Sequence, residues 1–188
     1  MRMYAAKNDK YTLLVLPDDD APNPREDCDC FGKMVCWHRR YNLGEDHDYD
    51  EPIDFLRDLY SSAVDDGGKR LVSFLKSRKA HGAYLEYNRS THEWDLFERC
   101  WWRSDSDSPW DCFYSVSESQ LNDADEFFDR MLEALSITDL KTLIAEREDI
   151  AILPLFLYDH SMQSISTASF IGRAQHAEWD SGQVGYIY

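Results

Sequence analysis

The chain contains 188 residues, of which 43% are hydrophobic and 14% aromatic, and its formal net charge is −16. A chain of this length and apolar content is long enough to form one hydrophobic core. Its acidity argues against a general binder of the nucleic-acid backbone, because such binding depends on basic side chains that neutralise phosphates.

The composition also bears on cellular location. No run of about 18 apolar residues occurs, and the first residues lack the pattern of a secretory signal peptide. The chain carries five cysteines. An odd number of cysteines without secretory features favours reduced thiols over a disulfide framework. We therefore expect a cytoplasmic protein that makes no membrane contact.

The first part of the chain predicts two strands and then two helices. Residues 11–16 and 33–39 have the short apolar or weakly alternating composition of strands. Pro52 suits the first turn of a helix that ends by Gly67, and a short basic helix is expected over residues 69–79. The apolar residues of the first helix recur on one face, at Ile53, Leu56, Leu59 and Tyr60.

The middle of the chain predicts a hairpin, a loop and an acidic helix. Residues 84–88 and 94–100 alternate between apolar and polar side chains and are joined by a polar turn, which is typical of a β-hairpin. Residues 103–109 are rich in serine and aspartate and are expected to form a loop. Asn122 is a plausible cap for an amphipathic helix whose outer face is acidic.

The last part of the chain completes an α+β pattern. Thr138 is expected to cap another helix, and residues 150–158 form an apolar run of strand length, which predicts a central strand buried on both faces. Pro154 within that run implies an edge position, a bulge or a break in the strand. We predict one α+β domain over residues 1–188, with a mostly antiparallel sheet covered by helices from a variable acidic and aromatic insert at about residues 52–149.

One group of soft side chains has the number of ligands that a tetrahedral zinc ion needs. Cys28, Cys30, Cys36 and His38 lie within eleven residues. Their spacing differs from the usual CxxC knuckle, and unmetallated thiols are the more ordinary interpretation. No cofactor is therefore predicted.

A second group of polar residues allows two interpretations. His38, Asp159, His160 and Asp180 could form a metal-dependent hydrolytic site, because histidines with acidic partners serve as general bases or metal ligands. Their spacing matches no standard catalytic motif, and no nucleophile is identified. The alternative is a structural polar network that ties the end of the chain to its early part, built from Arg39, Arg40, Asp159, His160 and Asp180.

Three segments carry a resemblance. Residues 38–44 read HRRYNLG, residues 153–161 read LPLFLYDHS, and residues 179–186 read WDSGQVGY. Together they resemble a family of proteins carried by bacteriophages and mobile elements. The resemblance implies a protein from a setting in which inhibitors of host defence, such as anti-CRISPR and anti-restriction proteins, are found.

The charge is unevenly distributed along the chain. Residues 105–149 hold 13 acids against 3 bases, and residues 17–58 hold 13 acids against 5 bases, whereas residues 69–103 hold 8 bases against 4 acids. Acidic surface is commonly a device for solubility. A face of regularly spaced carboxylates can also occupy a protein groove that is built for phosphates, since it uses the same arginine and lysine partners.

We therefore predict a protein that binds and inhibits a host defence nucleoprotein complex, either a CRISPR effector or a restriction enzyme, in the bacterial cytosol. Acidic mimicry of nucleic acid is the expected mechanism. The alternatives are a metal-dependent hydrolase acting on a nucleotide or nucleic acid, and a phage interaction protein with no inhibitory role. The expected partner-binding residues are Asp123, Asp125, Glu126, Asp129 and Glu133.

Overall fold

The computed structural model describes residues 4–7, 10, 12–15, 32–62, 67–102, 108–122 and 125–188. The chain divides into two compact units, residues 1–33 and residues 34–188. In the first unit, strands β1 (Tyr4–Lys7) and β2 (Thr12–Val15) form an antiparallel hairpin. The second unit contains all other described helices and strands.

Two antiparallel sheets form the framework of the second unit. The four-stranded sheet has the order β3-β9-β7-β8, and the three-stranded sheet is a meander of the order β4-β5-β6. The strands are β3 (Met34–Cys36), β4 (Ala83–Asn88), β5 (Glu93–Arg99), β6 (Trp110–Val116), β7 (Leu153–His160), β8 (Met162–Ser166) and β9 (Ser181–Ile187). The predicted α+β class is confirmed, because every described strand pair is antiparallel.

Six helices accompany these sheets in the part of the chain that the structure describes. They are α1 (Pro52–Ser62), α2 (Gly67–Lys76), α3 (Glu118–Asn122), α4 (Asp125–Glu133), α5 (Ile137–Ala145) and α6 (Ala177–Asp180). Five of them come from the predicted insert. None of the helices in these ranges is both long enough and apolar enough to span a bilayer. That residues 1–188 form a single domain stays a prediction.

One continuous apolar cluster joins the helices to both sheets. Tyr60 of α1 and Leu140 of α5 are fully buried in it, as is Leu96 of β5. On the side of the four-stranded sheet, Phe55 stacks against Tyr186 with ring centroids 5.8 Å apart. Burial of side chains of this size contributes about 1.5–3 kcal/mol each, so this cluster is the main source of stability.

A buried carboxylate joins α5 to the start of β4. Asp139 is 1% exposed and accepts hydrogen bonds from the backbone N–H groups of His81 at 2.6 Å, Gly82 at 2.8 Å and Ser136 at 3.0 Å. The Ser136 hydroxyl also donates to it at 2.7 Å and accepts from the Asp139 N–H, which completes a capping box. Burial raises the pKa of Asp139, but these hydrogen bonds together outweigh burial, and the pKa is lowered.

Several predicted boundaries differ from the structure. Ser136 rather than Thr138 caps α5, because the Ser136 side chain reaches the N–H of Asp139. Asn122 is the last residue of α3 instead of the cap of the next helix. The first helix ends at Ser62, before Gly67 as predicted, whereas α2 spans Gly67–Lys76 rather than residues 69–79. The predicted loop over residues 103–109 lies mostly outside the described residues.

Pro154 lies at a position of β7 where the pairing of the strand accommodates a proline. Pro154 is the second residue of β7, and β8 pairs with β7 only from Phe156 onward. The strand therefore has a neighbour on one side only at Pro154, which removes the conflict between proline and an interior strand. A register shift follows between Leu155 and Phe156. The expectation of burial on both faces is wrong for most of the strand, because only Leu155 and Leu157 are buried.

We expect Asp139→Asn to lower the free energy of unfolding by about 2–3 kcal/mol at neutral pH, because an amide replaces a charged acceptor of several hydrogen bonds. The folded pKa of Asp139 is depressed. Its stabilisation is therefore fully present above the unfolded aspartate pKa of about 3.9 and is lost as the pH falls through the folded pKa.

Urea unfolding of the wild type and the variant at a series of pH values measures this difference. The matched control is Asp129→Asn, which changes an exposed carboxylate on α4 and is expected to shift stability by less than about 0.5 kcal/mol. A loss of equal size in both variants would contradict the role given to Asp139.

Candidate functional site

The second unit carries a surface rich in carboxylates on α1 and α4. Residues 45–58 contain seven acids against one arginine. Pro52 begins α1, so Glu51 lies at its N-terminal end, where the helix dipole favours negative charge. The acidic surface, as we use the term, consists of Glu51, Asp54, Asp58, Asp129 and Glu133.

Arg57 connects the two helices of the acidic surface. Its Nη2 donates to the backbone oxygen of Glu133 at 2.8 Å, and its Nη1 lies 3.3 Å from Asp54 Oδ1. Asp54 and Asp58 are four residues apart on α1, as Asp129 and Glu133 are on α4, so each pair faces the same side at a separation of about 6 Å. Arg57 therefore joins α1 to the carboxyl-terminal end of α4, so the two helices that carry these carboxylates touch at this point.

Two arginines neutralise only part of this surface. Arg57 pairs with Asp54, and Arg130 Nη1 lies 2.8 Å from Glu133 Oε2. Both ion pairs join residues three apart on one helix. The pair of Arg130 and Glu133 is exposed and contributes little to stability, whereas the Arg57 side chain is half-buried. The surface keeps a net negative charge at neutral pH.

The pKa of Tyr49, a residue that precedes α1, is raised by this charge. The Tyr49 hydroxyl donates to Asp58 Oδ2 at 2.5 Å, and Tyr49 is held in place by the indole of Trp37, which donates to its backbone oxygen at 3.0 Å. The hydrogen bond to Asp58 raises the pKa of Tyr49 to about 12, with a smaller contribution from burial. At the end of the chain, burial and then the charges of Glu45 and Asp58 raise the pKa of Tyr188.

The structure shows exposed side chains for two of the five predicted partner-binding residues. Asp129 and Glu133 are exposed on α4. Asp125 and Glu126 are the first two residues of the same helix, and Asp123 lies outside the described residues. The α1 carboxylates were missed as site residues, although the density of acids over residues 45–58 was visible in the sequence.

A cleft of about 370 Å³ lies at the carboxyl end of β7, on the four-stranded sheet. We call it the polar cleft. Its polar and aromatic lining comes from the early block of the chain and from its last elements, namely His38, Arg40, Asp159, Trp179 and Asp180. The tertiary structure thus brings three of the four residues of the predicted hydrolytic site to one cleft.

Asp159 makes the contacts that link the early block to β7. Arg40 Nη1 lies 3.6 Å from Asp159 Oδ2, and the Tyr41 hydroxyl donates to the same oxygen at 2.9 Å. Gln163 of β8 donates to the Tyr41 oxygen at 3.1 Å, and the Tyr41 ring stacks on His38. The predicted contact between the early block and Asp159 is therefore present, but the Arg40 side chain is 68% exposed rather than buried.

His160 has a different partner from its neighbour in sequence. Its Nδ1 lies 2.7 Å from Asp180 Oδ2, and its ring centroid is 5.7 Å from that of His176. Because a carboxylate only accepts, the proton of a neutral His160 resides on Nδ1, and Nε2 remains an acceptor. This arrangement resembles the orientation that a carboxylate gives to a general base.

Arg39 does not take part in the predicted network. It lines a neighbouring groove of about 480 Å³ together with Trp37 and Lys141. Of the possible zinc ligands, Cys28 and Cys30 lie outside the described residues, and Cys36 Sγ accepts from the backbone N–H of His38 at 3.4 Å. Within the described ranges, no three histidine, cysteine or carboxylate side chains are grouped so that they could hold a metal ion.

Comparison with known proteins adds no relative. No protein-family model, no curated protein and no solved structure matches this chain. The resemblance carried by the HRRYNLG, LPLFLYDHS and WDSGQVGY segments therefore stays a prediction.

We expect Asp58→Asn to lower the pKa of Tyr49 from about 12 toward the ordinary tyrosine value, because the variant removes both the charged acceptor and its Coulombic effect. NMR titration of the tyrosine ring carbons measures the change. Asp129→Asn is the control and should leave the Tyr49 titration unchanged. A Tyr49 pKa that stays at about 12 in Asp58→Asn would show that the hydrogen bond is not its main cause.

Proposed function

We propose that this protein binds and inhibits a host defence nucleoprotein complex, such as a CRISPR effector or a restriction enzyme, by placing its acidic surface in a groove that normally holds nucleic acid. The observation that carries the proposal is the contact of α1 with the carboxyl-terminal end of α4 through Arg57, because both helices carry acidic side chains. Phosphate-binding grooves present arginine and lysine side chains, and carboxylates engage the same donors.

Charge supports this mode of binding in two further ways. The net charge of −16 gives a long-range attraction to a basic partner, which increases the rate of association. The helix places the Cβ atoms within each row about 5–6 Å apart, so little backbone ordering is needed on this side of the interface when a partner binds. Mimicry of this kind predicts binding that salt weakens.

The test compares two variants that each remove four negative charges, at different places on the second unit. The surface variant carries Asp54→Asn, Asp58→Asn, Asp129→Asn and Glu133→Gln. The control carries four glutamate-to-glutamine changes elsewhere on the second unit, at Glu86, Glu93, Glu146 and Glu148. Tagged full-length proteins are used to capture partners from a bacterial lysate, and the retained proteins are identified by mass spectrometry.

We expect the wild type and the control to retain a nucleic-acid-processing complex that salt or duplex DNA releases, and we expect the surface variant to lose it. Retention by the surface variant, with its melting temperature unchanged, would contradict mimicry by this surface. Capture of the complex without loss of its nuclease activity would contradict inhibition and favour an interaction protein with no inhibitory role.

A second candidate function rests on the contact between His160 and Asp180. We propose as the alternative a metal-dependent hydrolase acting on a nucleotide or nucleic acid, with His160 as the general base. The 2.7 Å contact leaves Nε2 available as a proton acceptor, and the polar cleft beside it holds Asp159. No three side chains of the described residues are grouped to hold a metal ion, so a metal at this cleft would be held by fewer protein ligands, and its chemistry would be the activation of water.

For this alternative, we expect His160→Ala to reduce the rate of metal-dependent hydrolysis of nucleotides or DNA by about 100-fold or more while the protein stays folded. The control is Ser164→Ala, an exposed change on the adjacent strand β8. Activity assays with added Mg²⁺ or Mn²⁺, combined with thermal melts, separate the cases. A lower melting temperature with no wild-type hydrolysis would assign the contact between His160 and Asp180 a structural role.

A further inference from the structure

Trp179 is the most exposed large apolar side chain among the described residues, at 84%. It lies on α6, between Glu178 and Asp180, and lines the polar cleft. Leaving an indole in water forgoes the favourable free energy of burial, because its apolar area stays exposed when the protein folds. Exposed tryptophans beside a cleft are typical of binding hot spots.

The segment that presents Trp179 is firmly attached to the sheet. Ala177 is completely buried, and the Ser181 hydroxyl donates to its backbone oxygen at 2.5 Å. The Tyr158 hydroxyl of β7 donates to the backbone oxygen of Gln175 at 2.9 Å. The backbone that carries the indole is therefore held in place before and after Trp179.

The carboxylates around Trp179 are held in place as well. Asp159 accepts from the Tyr41 hydroxyl, and Asp180 is in contact with His160 Nδ1, in each case through Oδ2. Each carboxylate keeps Oδ1 as a further acceptor. Together with the exposed Glu178, these groups give the cleft more negative than positive charge, since Arg40 is the one arginine or lysine in its lining.

We propose that the polar cleft receives an arginine side chain of the basic partner, with the guanidinium stacked on Trp179 and bonded to Asp159 and Asp180. This inference rests on the proposed function, which requires a basic partner. A guanidinium is planar, stacks on indole faces and donates to two carboxylate oxygens at once, whereas an ammonium group does only part of this.

Two arginines of the chain itself support this assignment. The guanidinium of Arg99 lies 4.2 Å from the ring centroid of Trp101, so the same type of stacking already occurs in the molecule. Arg40 lies 3.6 Å from Asp159, which is too long for a hydrogen bond, and its side chain is mostly exposed. Arg40 therefore pairs only weakly with Asp159 and competes with an incoming guanidinium for this carboxylate.

Binding of synthetic hexa-arginine and hexa-lysine peptides to the full-length protein, measured by calorimetry, tests the proposal. High salt is included in order to screen the general attraction between the peptides and an acidic protein. We expect Trp179→Ala to weaken hexa-arginine binding by about 5- to 10-fold, which corresponds to the loss of one cation–π contact. Trp102→Ala, which changes a side chain that is 75% exposed elsewhere, is the matched control and should bind as the wild type does.

Two further variants make the geometry testable. Trp179→Phe should restore part of the affinity, because phenylalanine keeps an aromatic face. Arg40→Ala should strengthen hexa-arginine binding, since it removes the competing cation from Asp159. Equal binding of the two peptides, equal losses in Trp179→Ala and Trp102→Ala, or weaker binding in Arg40→Ala would each overturn the proposal.

The two proposals fail separately. Peptide binding that depends on Trp179 without capture of a nucleic-acid-processing complex would keep the arginine pocket and overturn the defence-complex function. Capture that is lost in the surface variant but unchanged in Trp179→Ala would keep that function and overturn the pocket.

Discussion

The carboxylate of Asp139 holds together elements that are far apart in the chain. It accepts hydrogen bonds from the start of β4 and from the N-terminal cap of α5, which lie more than fifty residues apart. Gly82 fits beside it, and a Cβ atom there would lie 2.7 Å from the backbone oxygen of Ala134. Because α5 packs on α1, and α1 carries one row of the acidic surface, the position of that surface depends on this buried carboxylate.

The acidic surface opposes folding, and its cost is offset locally. Carboxylates four residues apart on one helix repel each other by a few tenths of a kcal/mol. Arg57, Arg130 and the Tyr49 hydroxyl each compensate one of them. The acidic surface keeps more acids than arginines, so part of this repulsion remains at neutral pH. The apolar core beneath α1, including Phe55 and Tyr60, supplies the stability that offsets this repulsion.

The polar cleft follows from the two-residue period of β7. Asp159 and His160 are adjacent, so the strand directs them to opposite faces of the sheet. Asp159 meets Tyr41 and Arg40 of the early block, whereas His160 meets Asp180 at the end of α6. A set of residues that looks like one network in the sequence is therefore two pairs in space, and α6 places Trp179 beside both.

The sequence by itself determined the α+β class, the helix that starts at Pro52, the β4-β5 hairpin and the excess of acids near α1 and α4. These features depend on local periodicity and composition, which neighbouring residues carry. It did not reveal β6 or β8, the capping role of Ser136, or the order β3-β9-β7-β8. Only the tertiary structure decided that Arg57 of α1 reaches the end of α4 and that Arg40, rather than Arg39, meets Asp159. Those outcomes depend on contacts between residues distant in the chain, whose energies arise from packing and burial that no local pattern encodes.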